Sequence, residues 1–431
     1  MNYHELYQSK LGSLEGALNS ICSGDVIGTS IYGNEPTHFL RNLHTIAPHV
    51  ENVTLWTMLM MGDYRVMSDP EMAGHIDIYT YFYNKDCRAG HSSKRFCYVP
   101  TDLHMVNRAI DVAKPANVFV TAVSPMDEHG NVYLSFDMQA GIQLMNSADR
   151  VIFEVNSNIP RVFGETAVSI TQADYIYEAD TPLPIAPTPP ATETELAIAQ
   201  HVVSLIRDGD CIQLGIGGMP NAVGESLMSK KDLGIHTEMI TSSMGKLLDA
   251  GVVNNSRKNF NRGKTVGAFA WGDQALYDYM AENTGIMLRQ AAWVNNPANI
   301  ARNDNMVSVN TAIQVDLTGQ ICSESMGPRQ YSGSGGALDF AYGAMHSKGG
   351  RGIIALSSTA KGGTISKIQA TLTPGAAVTI PRNIADYVIT EYGIAPLRGR
   401  SLRQRVNNLI AIAHPDFRSE LRKQADQLML W

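Results

Sequence analysis

Several things are scarce in this 431-residue chain, and each shortage narrows the reading. Basic charge is not in excess. Thirty-four Lys and Arg stand against 41 Asp and Glu, for a net charge of −7. That excludes a nucleic-acid footprint, which needs a basic face. Cysteine is rare: Cys22, Cys87, Cys97, Cys211 and Cys322 are odd in number, form no CxxC pair and do not cluster with histidine at zinc-ligand spacing. They read as reduced thiols of a cytoplasmic protein without a metal site. No apolar run reaches the ~20 residues of a membrane span, so no membrane partner is expected. The opening "MNYHELYQSKLGSLEGA" carries acids and no apolar core, unlike a signal peptide. G-x-x-x-x-G-K-[ST] does not occur, which removes a P-loop.

What is there is a chain with 44% apolar residues, long enough for two or three domains of roughly 100–200 residues. Proline concentrates in "ADTPLPIAPTPPATETE", residues 179–195. So many prolines fit neither a helix interior nor a central strand, so the segment reads as an extended linker. It predicts domains over 1–180 and 193–431, joined by 181–192. Thr192 and Glu195 then form a capping-box pattern that opens a helix.

The two halves share a plan. "SGDVIGTSIYGNEPTHFLRNL" (23–43) and "DGDCIQLGIGGMPNAVGESL" (208–227) each run from a Gly-Asp turn through a short apolar strand to G-x-x-P opening a helix. Each is followed by a second strand, "NVTLWTMLM" and "GIHTEMITS". Strands alternating with helices predict an α/β fold of two similar open domains with mainly parallel sheets. In such sheets ligands sit beyond the carboxyl ends of the strands.

Two glycine clusters mark candidate ligand loops. In "QLGIGGMPNAV" the strand ends near Leu214, and Gly215, Gly217 and Gly218 free the backbone to turn. Pro220 suits the first helical turn, whose free amides favour an anion or a developing oxyanion. A dinucleotide site competes, since Gly215, Gly217 and a later Glu238 approximate its pattern, but Pro220 stands where glycine or alanine is wanted. A plain tight turn is the third reading. The second cluster, Gly333, Gly335 and Gly336, precedes the helical-looking "ALDFAYGAM". The segment "DLGIHTEMI" (232–240) raises a separate question: it reads as a strand, yet carries Glu238 in an apolar run.

These pieces occur in an order that resembles a known family. "GIGGMPNAV", "LGIHTEM", "RQYSGSGGALDF", "TAKGGTISKI", "TEYGIAPLRGRSLRQR" and "IAHPDFRSEL" are similar to the acetyl-CoA hydrolase/transferase family, and "SPMDEHGNVYLS" and "EVNSNIPRVFG" match in the first half. Within it, the 4-hydroxybutyrate and butyrate CoA-transferases resemble the chain most. The resemblance implies a carboxylate nucleophile at Glu238 and CoA contacts at Gly215, Ile216, Gly217, Gly218, Met219, Ile313 and Gly336. It implies an active site between the two domains, oligomeric assembly, acyl-CoA and small carboxylic acids as substrates, and no cofactor beyond CoA itself.

The chemistry follows from the residue type. A glutamate with a reference pKa of about 4.3 is ionised at neutral pH and needs no base to attack a thioester. The expected route is ping-pong: an acyl anhydride on Glu238, then a glutamyl-CoA thioester, then reversal with an acceptor acid. The Gly217 and Gly218 amides are the first candidates for the oxyanion, and Gln213 is a candidate to orient Glu238 or a substrate carboxylate. Gly333, Gly335 and Lys361 are further CoA candidates. His236 is expected to be structural, because an anionic nucleophile makes a base redundant. "TMLMM" (57–61) reads as core, and through the duplication as a possible acyl-pocket wall. The alternating Tyr79, Tyr81 and Tyr83 read as one strand face, and Arg398, Arg400, Arg403 and Arg405 as a solvated helix face. A dicarboxylate transferase, an acyl-CoA hydrolase and a nucleotide-binding module remain the alternatives.

Overall fold

The computed structural model describes residues 2–430 apart from 114 and 188; the second of these lies in the expected linker. The chain divides into two compact units. One comprises 1–186 with 267–293, the other 187–266 with 294–431. The division thus falls in the proline-rich segment, but the chain also returns to the first unit for 27 residues after 266. A hydrophobic pattern read along the chain has no signal for such a return.

In the first unit seven strands form one sheet: β1 (Val26–Thr29), β2 (Val53–Thr57), β3 (Ile76–Thr80), β4 (Phe96–Tyr98), β5 (Val118–Val123), β6 (Arg150–Asn156) and β7 (Tyr175–Ala179). Their order is β4-β3-β2-β1-β5-β6-β7, and every pairing is parallel. Six strands of the second unit are β8 (Cys211–Leu214), β9 (Gly234–Thr241), β10 (Met306–Thr311), β11 (Arg351–Ala355), β12 (Tyr387–Thr390) and β13 (Gly393–Pro396). They run β9-β8-β10-β11-β12-β13, parallel except for the final hairpin. In both units the first strand lies between the second and third strands of this shared core, β2-β1-β5 and β9-β8-β10. The duplicated plan is therefore real at the level of topology. The place where strand order reverses is the usual ligand crevice of an open parallel sheet.

Strands buried on both faces explain why their sequences run apolar rather than alternating. Ile27, Val53, Leu55, Ile78, Val118 and Val120 meet in one core with Phe39 and Leu40. Ile354, Val388, Leu397, Leu409 and Val315 build the other. The capping box is formed: Glu195 N–H donates to Thr192 Oγ1 at 3.2 Å and Thr192 N–H to Glu195 Oε2 at 2.8 Å, opening the helix α1 (Glu193–Ser204). The tyrosine alternation is shorter than expected, because β3 ends at Thr80. Tyr79 and Tyr81 pack around Trp56, whereas Tyr83 donates its hydroxyl to the Phe96 carbonyl.

Candidate active site

Glu238 stands on β9, where seven of eight residues are buried and it alone is half-open. The pairs Cys211–Gly234 and Ile212–Ile235 set β8 and β9 side by side in parallel, with Glu238 three residues beyond the last pair.

Two donors hold it. Asn295 Nδ2 donates to Glu238 Oε2 at 2.7 Å, and the Gly336 backbone amide donates to the same carboxylate. Asn295 is fully buried, and its Oδ1 has no hydrogen-bond partner among the described residues. Gly336 immediately precedes the helix α3 (Ala337–His346), as does Gly217 for α2 (Gly218–Ser226). Gly336 has an ordinary φ of −91°, so its need for glycine is one of space. A Cβ there would overlap Glu238 Oε2 and Asn295 Nδ2.

The acidity of Glu238 departs from expectation. Burial pushes its pKa up to about 7; the Asn295 and Gly336 hydrogen bonds oppose the rise, and the Asp339 carboxylate adds to it. A raised acidity constant means that Glu238 holds its proton nearer to neutrality than the residue type alone suggests. The cause is desolvation, which sequence does not display.

The first glycine loop has a different logic. Gly217 takes φ 115°, ψ 177°, a conformation that excludes other side chains, and it is exposed with open space where a Cβ would project. At Gly218 a Cβ would run into Glu195 of the capping box, so this glycine admits the helix α1. Gly215 and Ile216 are half-buried, and the Met219 side chain is buried in the core. The first amides of α2 are left over by the helix itself, as at any N-terminus.

Gln213, a candidate to orient Glu238 or a substrate carboxylate, is hydrogen-bonded within the sheet. Its side chain exchanges two 3.1 Å hydrogen bonds with Asn310 at the end of β10. That closed amide pair ties two strand ends together and leaves Glu238 to Asn295. Of the second glycine cluster, Gly336 reaches the carboxylate, Gly335 turns the chain with φ +50°, and Gly333 is buried. Ile313 spends its amide on the Cys322 carbonyl at 2.8 Å. Lys361 is exposed at φ 49° on the turn between Thr359–Ala360 and Ile365–Ser366. Neither of these last two belongs to the Glu238–Asn295–Gly336 cluster.

His236 is fully buried, with Nε2 2.8 Å from the Val294 carbonyl. Burial and then the nearby Lys258 charge pull its pKa down to about 3, which makes it a poor proton acceptor. Arg398 pairs with Asp386 at 2.6 Å, while Arg400 and Arg403 are exposed. Among the described residues no cluster of three metal-ligating side chains occurs, and no helix is long and apolar enough to cross a membrane.

Three residues escaped sequence reasoning. Asn295 lies in "WVNNP", which has the look of a turn, and Asp339 hides inside a helical pattern. The third, Glu35, lies in the first unit's turn after β1. It is buried, accepts the Met61 amide at 3.4 Å and faces the Tyr64 hydroxyl. Burial pushes its pKa up to about 7. The duplication was the available signal for Glu35, since its loop answers to "GIGGMP" one unit later.

Comparison with known proteins adds the family. The N-terminal domain model of acetyl-CoA hydrolase/transferase matches residues 1–187, and the C-terminal domain model matches 272–425. A succinyl-CoA:cyclohexane-1-carboxylate CoA transferase of Geobacter metallireducens is 43% identical, over 99% of this chain and 97% of that protein. The 4-hydroxybutyrate coenzyme A transferase of Clostridium kluyveri is 40% identical, over 98% of each. Among solved structures, RipA from Yersinia pestis superposes with a TM-score of 0.94 at 37% identity, covering 100% of both chains. A 4-hydroxybutyrate CoA-transferase from Porphyromonas gingivalis gives 0.84 at 34% identity, covering 99% of this chain and 100% of that one. This chain therefore belongs to the acetyl-CoA hydrolase/transferase family and carries the α/β fold of its CoA-transferases.

Proposed function

We propose that this CoA-transferase moves CoA from a short acyl-CoA to a small carboxylate such as 4-hydroxybutyrate, in ping-pong fashion through a glutamyl-CoA thioester on Glu238. The observation that carries the reading is the Glu238 carboxylate, half-open on an otherwise buried strand and held by Asn295 and Gly336.

The carboxylate form of Glu238 attacks the thioester carbonyl and releases CoA thiolate, leaving a mixed anhydride. The thiolate then attacks the glutamyl carbonyl and expels the donor acid. An acceptor carboxylate reverses both steps. In every second step the electrophile is the glutamyl carbonyl itself. Asn295 Nδ2 and the Gly336 amide, already on the carboxylate, stay on that oxygen as its charge grows. Donors placed before the reaction cost no reorganisation, which is why such contacts count heavily. The α2 amides after Gly217 are assigned to the acyl carbonyl or the CoA side of the substrate. No step in this cycle calls for a metal or an organic cofactor.

The test is direct. Glu238→Ala should lose exchange entirely, and wild-type protein given acyl-CoA should yield a glutamyl-CoA adduct reducible by borohydride. An alanine variant with full transferase activity refutes the assignment. CoA release with and without acceptor acid separates transfer from hydrolysis, and a panel of mono- and dicarboxylate acceptors against acetyl-CoA and succinyl-CoA names the substrate.

A further inference from the structure

We propose that His236 is a positioning residue that acts on Glu238 through Asn295, by holding the peptide in front of Asn295 against β9. The inference rests on Glu238 being the nucleophile and Asn295 Nδ2 its hydrogen-bond donor. His236 and Glu238 lie two residues apart on β9, so their side chains project from one face, about 7 Å apart along the strand. Each grips the same short segment. His236 Nε2 is 2.8 Å from the Val294 carbonyl, and Glu238 Oε2 accepts from Asn295 Nδ2 at 2.7 Å. A carbonyl only accepts, so Nε2 carries the hydrogen and donates it.

The Val294 carbonyl and the Asn295 backbone nitrogen belong to one planar peptide. A hydrogen bond on that carbonyl therefore fixes the plane from which the Asn295 side chain departs. His236, Val294, Asn295 and Phe340 are all fully buried. The Phe340 ring packs against the imidazole, with centroids 6.3 Å apart and planes tilted by 58°. Phe340 lies in the first turn of α3, where its amide donates to the Gly336 carbonyl at 3.0 Å. The imidazole thus touches both the segment that supplies Asn295 and the helix that begins after Gly336.

Such an anchor suits a donor that must not move. The Glu238 oxygen held by Asn295 takes up negative charge when the thiolate adds to the glutamyl carbonyl. A misplacement of about 1 Å at such a contact can cost on the order of 10² in rate. A buried carbonyl without a partner carries a desolvation cost, so a residue at 236 that cannot donate favours rotation of the Val294 peptide toward another donor. Asn295 Nδ2 is drawn off with that peptide. His236 is too deep to meet the substrate. Its influence therefore falls on the chemical step and not on the binding of acyl-CoA.

The experiment is a double-substitution cycle over His236 and Asn295, read by CoA exchange between acetyl-CoA and an acceptor acid from the panel above. His236→Phe keeps a ring and loses the donor. It is expected to lower kcat by about tenfold or more, while KM for acetyl-CoA changes by less than about twofold. His236→Gln, whose amide can reach the same carbonyl, is expected to recover most of the loss. In the Asn295→Ala background, His236→Phe should lower kcat by less than about twofold further, because the route through Asn295 is already cut. A merely structural role produces the same loss in both backgrounds. Equal losses in the two backgrounds, or a wild-type kcat in His236→Phe, overturn the proposal. Should His236→Phe fail to fold, His236→Met is read in the same way. Full activity in Glu238→Ala overturns instead the nucleophile reading beneath it.

Discussion

Gly336 lies against Glu238 so closely that the carboxylate and the Asn295 amide fill the space a Cβ would need. Gly336 thus supplies both a hydrogen-bond donor and the room for the Glu238 carboxylate to stand beside it. Gly336→Ala is expected to cut kcat by about 10²–10³, the loss typical of a displaced oxyanion donor. Its φ of −91° suits alanine, so any fall in melting temperature comes from pushing the Glu238 and Asn295 side-chain ends aside, about 1–3 kcal/mol, and not from backbone strain. Steady-state kinetics beside thermal unfolding checks the split; a collapse of stability with kcat retained sinks it.

Asn295→Ala removes the 2.7 Å donor from Glu238 Oε2. We expect a fall in kcat of about 10² with a smaller change in KM for acyl-CoA. Asn295→Asp, which places a carboxylate against a carboxylate, is expected to be worse than alanine and to push the pH profile further alkaline. The two variants compared at pH 6, 7 and 8 decide this.

The pH dependence of activity follows from Glu238, whose pKa burial raises to about 7. The attacking form is the anion, so kcat/KM should fall about tenfold per unit below pH 7 and level off above it. A nucleophile at its ordinary acidity would place that limb near pH 4.5. A profile flat from pH 5 to 8 contradicts the buried-acid account.

Stability runs the other way. An acid whose folded pKa is raised binds its proton more tightly in the folded state, so stability falls as pH rises from the unfolded value toward about 7. Glu238→Gln should therefore be more stable than wild type above pH 7, by up to about 3 kcal/mol. The gain should vanish near pH 4. Denaturant unfolding at pH 4 and pH 8 measures the difference.

Glu35 permits the same reasoning in the first unit, where its pKa is also raised to about 7 by burial. Glu35→Gln keeps an oxygen for the Met61 amide while removing the charge, and should raise stability above pH 7. Glu35→Ala empties a buried site, strands that amide and should destabilise by about 2 kcal/mol. Melting temperatures of the two variants at pH 8 should move in opposite directions.

What could be read along the chain was whatever is written locally. The proline cluster marks a break, Thr192 and Glu195 write a cap, and repeated Gly-x-x-Pro turns after short apolar strands announce two like units. Glu238 itself was legible because a carboxylate in an apolar strand demands a reason. Sequence spacing did not show the partners. Asn295 and Gly336 are 57 and 98 residues from Glu238 and meet it through the fold. Gln213, near in sequence and on the adjacent strand, was drawn off by Asn310. Local signals report backbone preference and hydrophobic period, which are short-range. Desolvation and hydrogen bonding between distant segments exist only after packing. For that reason the sequence by itself singled out Glu238, whereas its acidity and its donors were decided by tertiary structure.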